Sequence, residues 1–310
     1  MFDGFPRRRE SGASRMKTTR LPNLTTLYQK RGRIVPRLRL EALSRMAAMG
    51  VPLTKSDRRL RAMRNCHWGQ RAFVIGNGPS LTIDDLGRLK GEITFASNKV
   101  YLAFNETSWR PTYYSVSDVL VAENNRREIA ALNLPKFFGS SVRDALDAAD
   151  DITWLRELPS PTAQFSTDCS AGVYGGFSVV YHQMQLALHL GIREIYLIGL
   201  DFSFDVPQTT GEKCIHGEVL EGRGEVNHFH KDYRKPGETW TMPRLEEQRR
   251  AFLRARRACE AAGCVVENAS RRTCLDVFPR VDLDKLLKNG SPIPFRGENY
   301  LALPRRRRIA

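Results

Sequence analysis

The chain has 310 residues, 41% of them apolar, and a formal charge of +15; that is enough apolar content for one large α/β domain or two small ones, and too much for disorder throughout. The charge is unevenly placed: residues 1–70 carry a net +13, the run Arg305, Arg306, Arg307, Arg308 adds +4, and residues 71–304 sum to −2. A nearly neutral centre argues against a nucleic-acid enzyme, which carries its basic residues on the folded face that meets phosphates, and no run of about 18 apolar residues is present to span a membrane.

The basic first segment includes residues 34–46 (IVPRLRLEALSRM), which read either as an amphipathic helix lying against anionic lipid or as part of a solvated tail. Cys66, Cys169, Cys214, Cys259, Cys264 and Cys274 form no Cys-x-x-Cys pair, and the arginine-rich start does not read as a secretory signal. Free thiols in the cytoplasm are expected, with the basic ends favouring the inner membrane surface.

From residue 71 the pattern alternates between strands and helices. Residues 71–75 form a short apolar strand that ends in Gly76-Asn77-Gly78-Pro79-Ser80, and a brief helix with Leu81, Leu86 and Leu89 facing inward follows. Strands at 92–97 and 111–116 end at Asn98 and Asp118, and "VLVAENNRREIAAL" reads as helical. "PKFFGSS" and "DITWL" are further strand candidates, and "GVYGGFSVV" is a glycine-rich loop opening a helix over 178–190. "EIYLIGLDF", an unbroken apolar run ending at Asp201, suits a central parallel strand covered on both faces. Residues 203–240 are polar and hold three of the six histidines, as a functional or mobile lid would. A helix over 243–262 and a last strand in "CVVEN" close the pattern. The fold class is α/β, a doubly wound, mostly parallel sheet. The expected organisation is a basic extension over 1–70, partly helical or disordered, a domain over 71–290 and a basic tail over 291–310.

In such a sheet, ligands bind beyond the carboxyl ends of the strands. Gly76, Asn77, Gly78, Ser80, Asn98, Asp118 and Asp201 fall there, as turn formers or caps taken singly and as a ligand site taken together. The two glycines around Asn77 would let the backbone approach a ligand closely. No Gly-x-x-x-x-Gly-Lys-Ser/Thr loop is present, and Leu81 stands where a dinucleotide fingerprint needs its third glycine. Gly175, Gly176 and Ser178 precede a helix, a natural phosphate cradle or a close-packed capped loop. In "NHFHKDY", His228 and His230 each read as a general base, as loop surface, or, with His216, as metal ligands; Tyr233 lies beside them.

"FVIGNGPSL", "FASNKV", "YYSVSD", "GGFSVVYHQMQLALHLGIREIYLIGLDFSF" and "ENASRRTCLDVFPRVDLDKLL" together resemble the MptE-like family, named for 6-hydroxymethylpterin diphosphokinases. Much of the same pattern is similar to bacterial sialyltransferases of glycosyltransferase family 42. That resemblance implies a variant Rossmann-like, GT-A-like fold without a metal, in which Gly76, Asn77, Gly78, Ser80 and Asn98 bind a cytidine nucleotide and Ser178 contacts the donor. It also implies a lid histidine as base, His230 before His228. The lid tyrosines that serve the leaving phosphate in that family have no match in Phe202-Ser203-Phe204, and Tyr233 would stand in.

The expectation is therefore an inverting glycosyltransferase that needs no cofactor and moves a sugar from a nucleotide donor, CMP-linked by preference, to a surface glycan or glycolipid. The MptE-like alternative is a diphosphokinase carrying pyrophosphate from ATP to a pterin-type hydroxymethyl group, with Mg2+ on Asp118 and Asp201. A non-catalytic nucleotide-binding protein tethered by its basic ends is the third reading.

Overall fold

The computed structural model describes residues 34–288 except 148, 161, 163, 208 and 216; His216, the tail 291–310 and the first 33 residues lie outside the described residues. In chain order the elements are α1 (Ile34–Ala48), α2 (Lys55–Met63), β1 (Arg71–Ile75), α3 (Ile83–Arg88), β2 (Ile93–Ser97), β3 (Tyr113–Val116), α4 (Val119–Asn124), α5 (Arg126–Ala131), β4 (Lys136–Gly139), β5 (Ile152–Leu155), α6 (Val179–His189), β6 (Glu194–Ile198), β7 (Thr209–Cys214), β8 (Gly217–Glu221), β9 (Thr239–Thr241), α7 (Leu245–Ala261), β10 (Val265–Asn268) and α8 (Leu283–Lys288). Short 3-10 stretches follow β2 and β4. None of the described helices is long and apolar enough to cross a membrane.

Seven strands form one parallel sheet in the order β10-β6-β1-β2-β3-β4-β5. Side chains of a strand alternate between faces, and here both faces are apolar. Ala72, Val74, Ile195 and Leu197 enter one core with Leu60, Met63, Tyr181, Met184 and Phe252. Phe73, Ile75, Tyr196 and Ile198 enter the other with Leu86, Val100, Ala103, Ile129 and Leu283. Strands buried on both sides read as continuous apolar runs, which is why they were visible in the sequence.

The packed domain begins earlier than residue 71. The α2 helix starts with a capping box, in which Thr54 Oγ1 accepts from Asp57 N at 3.0 Å and Asp57 Oδ2 accepts from Thr54 N at 2.9 Å. Its Ser56 hydroxyl accepts from Trp154 N at 2.9 Å, and Asp57 Oδ1 accepts from Arg156 at 2.7 Å. Within the expected basic extension, residues 55–63 are thus a structural helix that closes one face of the sheet.

Two buried histidines hold this corner. His189 Nε2 donates to Leu60 O at 2.8 Å and Nδ1 accepts from Cys169 N at 3.2 Å, which fixes a neutral tautomer. His67 Nε2 lies 2.6 Å from the Tyr113 hydroxyl. Burial pushes both imidazoles below their ordinary 6.5.

The chain starts the sheet at β1, runs outward to β5, then returns to lay β6 on the other side of β1. At this reversal the two strand ends dovetail. Gly76 N donates to Ile198 O and Gly78 N to Gly199 O, both at 2.8 Å. Gly199 has φ +61°, and a Cβ there would sit 2.8 Å from Gly76 O. A Cβ at Gly76 or Gly78 would overlap Gly199 O or the Asp201 carboxylate. The glycines do permit a close approach, but to the neighbouring strand end. Ser80 N and Oγ then donate to Asp201 Oδ2, at 3.2 and 2.8 Å.

The polar segment expected as a functional or mobile lid holds β7 and β8 and runs into β9, and the three form an antiparallel sheet in the order β7-β8-β9.

Gly78→Ala is expected to destabilise the fold by about 1–3 kcal/mol through overpacking, whereas Gly175→Ala, placed in open space, should change stability by less than about 0.5 kcal/mol. Equal urea midpoints for the two variants would refute the dovetail. Because His67 and His189 have lowered folded pKa values, the unfolded chain binds more protons once the pH drops through 6.5. Stability present above that value is therefore lost below it, and the urea midpoint should be lower at about pH 5 than at about pH 7.5. A flat profile across that window would show that these imidazoles are not held neutral.

Candidate functional site

The reversal between β1 and β6 is the point where an open parallel sheet leaves a crevice. Two adjoining cavities lie along the carboxyl edge there. The larger, about 490 Å³, is bounded by the ends of β2 and β3, the start of α6 and the β8–β9 side of the lid. The smaller, about 130 Å³, sits over the ends of β1 and β6. Asn98, Ser178, Phe204, His228 and Tyr233 line both.

The start of α6 forms one wall. Gly176 has φ +62°, and a Cβ there would collide with the Tyr181 ring; Ser178 caps the helix, its Oγ accepting from Val180 N at 3.3 Å. The amides of Gly175, Gly176 and Phe177, residues that line the larger cavity, meet no acceptor among the described residues and lie beside the positive end of the helix dipole. Asn98, in the left-handed region at φ 53°, uses its carbonyl to accept from the Tyr114 hydroxyl at 2.6 Å. Its Oδ1 is buried without a partner among the described residues, as is Asn77 Oδ1 in the smaller cavity. Unpaired buried amide oxygens are costly and mark places for ligand donors.

The lid supplies the opposite wall, and one backbone bond registers it to the sheet: Phe229 N donates to Asn77 O at 3.0 Å. His228 stacks flat on Tyr233, with ring centroids 3.8 Å apart and planes 5° from parallel. Its Nδ1 lies 3.0 Å from Glu225 Oε1. Burial lowers the His228 pKa, Glu225 opposing, so the imidazole is neutral at pH 7. Burial raises that of Tyr233, whose hydroxyl keeps its proton.

His230, expected from the sequence to be the base ahead of His228, lines neither cavity. Its Nε2 is 3.3 Å from Glu106 Oε1, and its Nδ1 accepts from Asp232 N at 3.1 Å. The positions of the two histidines follow from the Tyr233 stack, which takes the residue five earlier in the chain and leaves His230 outside.

Among the strand-end residues, Asn98, Asp118, Gly175, Gly176 and Ser178 line the larger cavity, and Gly76, Asn77, Gly78 and Asp201 line the smaller. Ser80 lines neither and is engaged by Asp201. Asp118 caps α4 by accepting from Leu120 N at 2.8 Å and Val121 N at 3.2 Å. Asp118 and Asp201 thus face different cavities, and the described residues contain no group of three or more His, Cys, Asp or Glu placed to hold a metal ion.

The cavity residues that the sequence did not single out include His182, Glu157 and Arg234. His182 sits one turn into α6, its Nε2 3.6 Å from Glu157 Oε1. Glu157 fits because Gly139 has no side chain to displace it, and its other oxygen accepts from Ser141 N. The Arg234 guanidinium carbon lies over the Trp240 ring, 3.6 Å from its centroid. His182 carried a signal, four residues after the helix cap and so on the same helix face; Glu157 and Arg234 carried none.

No family model and no curated protein matches the chain, so the likeness to the MptE-like family rests on the quoted motifs. Among solved structures, the chain is similar to the sialyltransferase CstII from Campylobacter jejuni, crystallised in complex with the substrate analogue CMP-3FNeuAc, at 13% identity and a TM-score of 0.35, over 68% of this chain and 86% of that one.

Proposed function

We propose that this protein is an inverting glycosyltransferase that moves a sugar from a nucleotide donor, CMP-linked by preference, to a hydroxyl of a glycan or glycolipid. The observation that carries the reading is a neutral, carboxylate-held imidazole on the wall of a 490 Å³ cavity that residues with free amides at a helix start also line. The cavity volume is in the range that takes a small-molecule ligand.

The parts divide as follows. The acceptor oxygen attacks the anomeric carbon, and its proton passes to His228 Nε2. The bond from that carbon to the leaving phosphate oxygen breaks, and its electron pair stays on the nucleotide. The Glu225 carboxylate, 3.0 Å from Nδ1, favours the tautomer that leaves Nε2 to accept, and its charge stabilises the imidazolium once formed. The amides of Gly175 to Phe177 and the α6 dipole meet the charge developing on the phosphate. Asn98 and Asn77, each with an unpaired buried oxygen, take donors from the base or ribose. What supports His228 over His230 as the base is that His228 lines the cavity and His230 does not.

CMP is expected to raise the melting temperature by mass action. With CMP-N-acetylneuraminate as the probe, His228→Ala should lower the rate of CMP release by about 10²–10⁴-fold, while His230→Ala stays within about threefold of the parent. The wild-type acid limb should fall at a pH below 6.5, because burial lowers the His228 pKa and the base works only when neutral. Parental turnover by His228→Ala would overturn the assignment, and an absence of any shift with CMP would overturn the donor.

A further inference from the structure

A guanidinium largely withdrawn from bulk water and without a protein partner is costly until an anion meets it, and the lid holds one. Arg234 is 8% exposed, lines the larger cavity, and makes no hydrogen bond or ion pair among the described residues. Its position is built: Gly222 leaves room for the arginine stem, since a Cβ there would sit 2.8 Å from Arg234 Cδ, and the Trp240 ring supports the guanidinium. Stacking on a ring returns part of the penalty and leaves the N–H edge of the fork unused.

The carboxylates whose fields reach Arg234 are Glu225, Glu238 and Asp118, and each is engaged elsewhere. Glu225 faces His228 at 3.0 Å, Glu238 pairs with Lys99, and Asp118 caps α4. Across the same cavity stand the free amides before α6, a second group of donors with no acceptor. We infer that Arg234 is the anion-binding residue of this cavity, its guanidinium taking an oxyanion of the substrate. Phosphate and carboxylate present the same paired oxygens to the fork, so the anion is either the nucleotide phosphate or an acid group on the transferred sugar. The inference rests on the nucleotide-sugar reading for the identity of the anion and not for the site.

The test is calorimetric titration of the full chain with pyrophosphate, CMP, cytidine and N-acetylneuraminate, for the parent, Arg234→Met and Arg234→Lys. Arg234→Met should bind the relevant anion about tenfold or more weakly, bind cytidine like the parent, and melt no lower than the parent in the absence of ligand, since an unpaired buried charge has been removed. Arg234→Lys, which keeps the charge and loses the fork, should fall between, and it replaces Arg234→Met if that variant does not fold. Loss confined to pyrophosphate and CMP identifies the phosphate; loss confined to N-acetylneuraminate identifies the sugar acid. Arg234-dependent pyrophosphate binding without any response to CMP or cytidine would sustain the anion site while removing the nucleotide reading. Undiminished anion binding by a folded variant, or no anion binding by the parent, would overturn the inference.

Discussion

The site depends on one steric constraint: two strand ends that must pass within backbone contact of each other. Where β6 returns to lie beside β1, the chain has no room for a side chain at 76, 78 or 199. Glycine at all three lets the amides of Gly76 and Gly78 bond across to the β6 end, and Asp201 then closes over Ser80. Everything downstream is measured from this joint. It sets the depth of the crevice, the height at which Asn77 and Asn98 present their amides, and the carbonyl to which the lid attaches.

The electrostatic character of the cavity follows from how the fold spends its donors and acceptors. The start of α6 offers amides that a loop of glycines leaves open, and the lid adds a stacked guanidinium. Around them the carboxylates are already committed: Glu225 to an imidazole, Glu157 to another at 3.6 Å, Asp118 to a helix cap. These carboxylates are thus engaged by groups of the protein itself, while the amide oxygens of Asn77 and Asn98 remain without a partner among the described residues.

How much of this was legible depended on whether the deciding interaction was local. Strands buried on both faces announce themselves as apolar runs, and "FVI" and "IYLI" did so. Their polar ends followed, which is why Asn77, Asn98, Asp118 and Asp201 could be named. The α2 helix was hidden by its composition: four arginines and lysines in "KSDRRLRAM" outweigh Leu60 and Met63, although those two, three residues apart, form its buried stripe. Strand β7, "TTGEKC", is exposed along most of its length and lacks the alternation that marks a half-buried strand. The glycines of "GNG" signalled a close approach and could not say to what. His228 and His230 are equivalent in chemistry and spacing, and only the Tyr233 stack separates them.

The bond from Phe229 N to Asn77 O joins main chain to main chain. Such a joint has no side-chain identity to lose, so substitution at 77 can remove the amide facing the smaller cavity while the lid stays docked. The lid can accordingly change its sequence, and with it the ligand it favours, without changing where it sits. Recognition and placement are separable properties in this architecture, and the first can drift while the second is held by the peptide backbone.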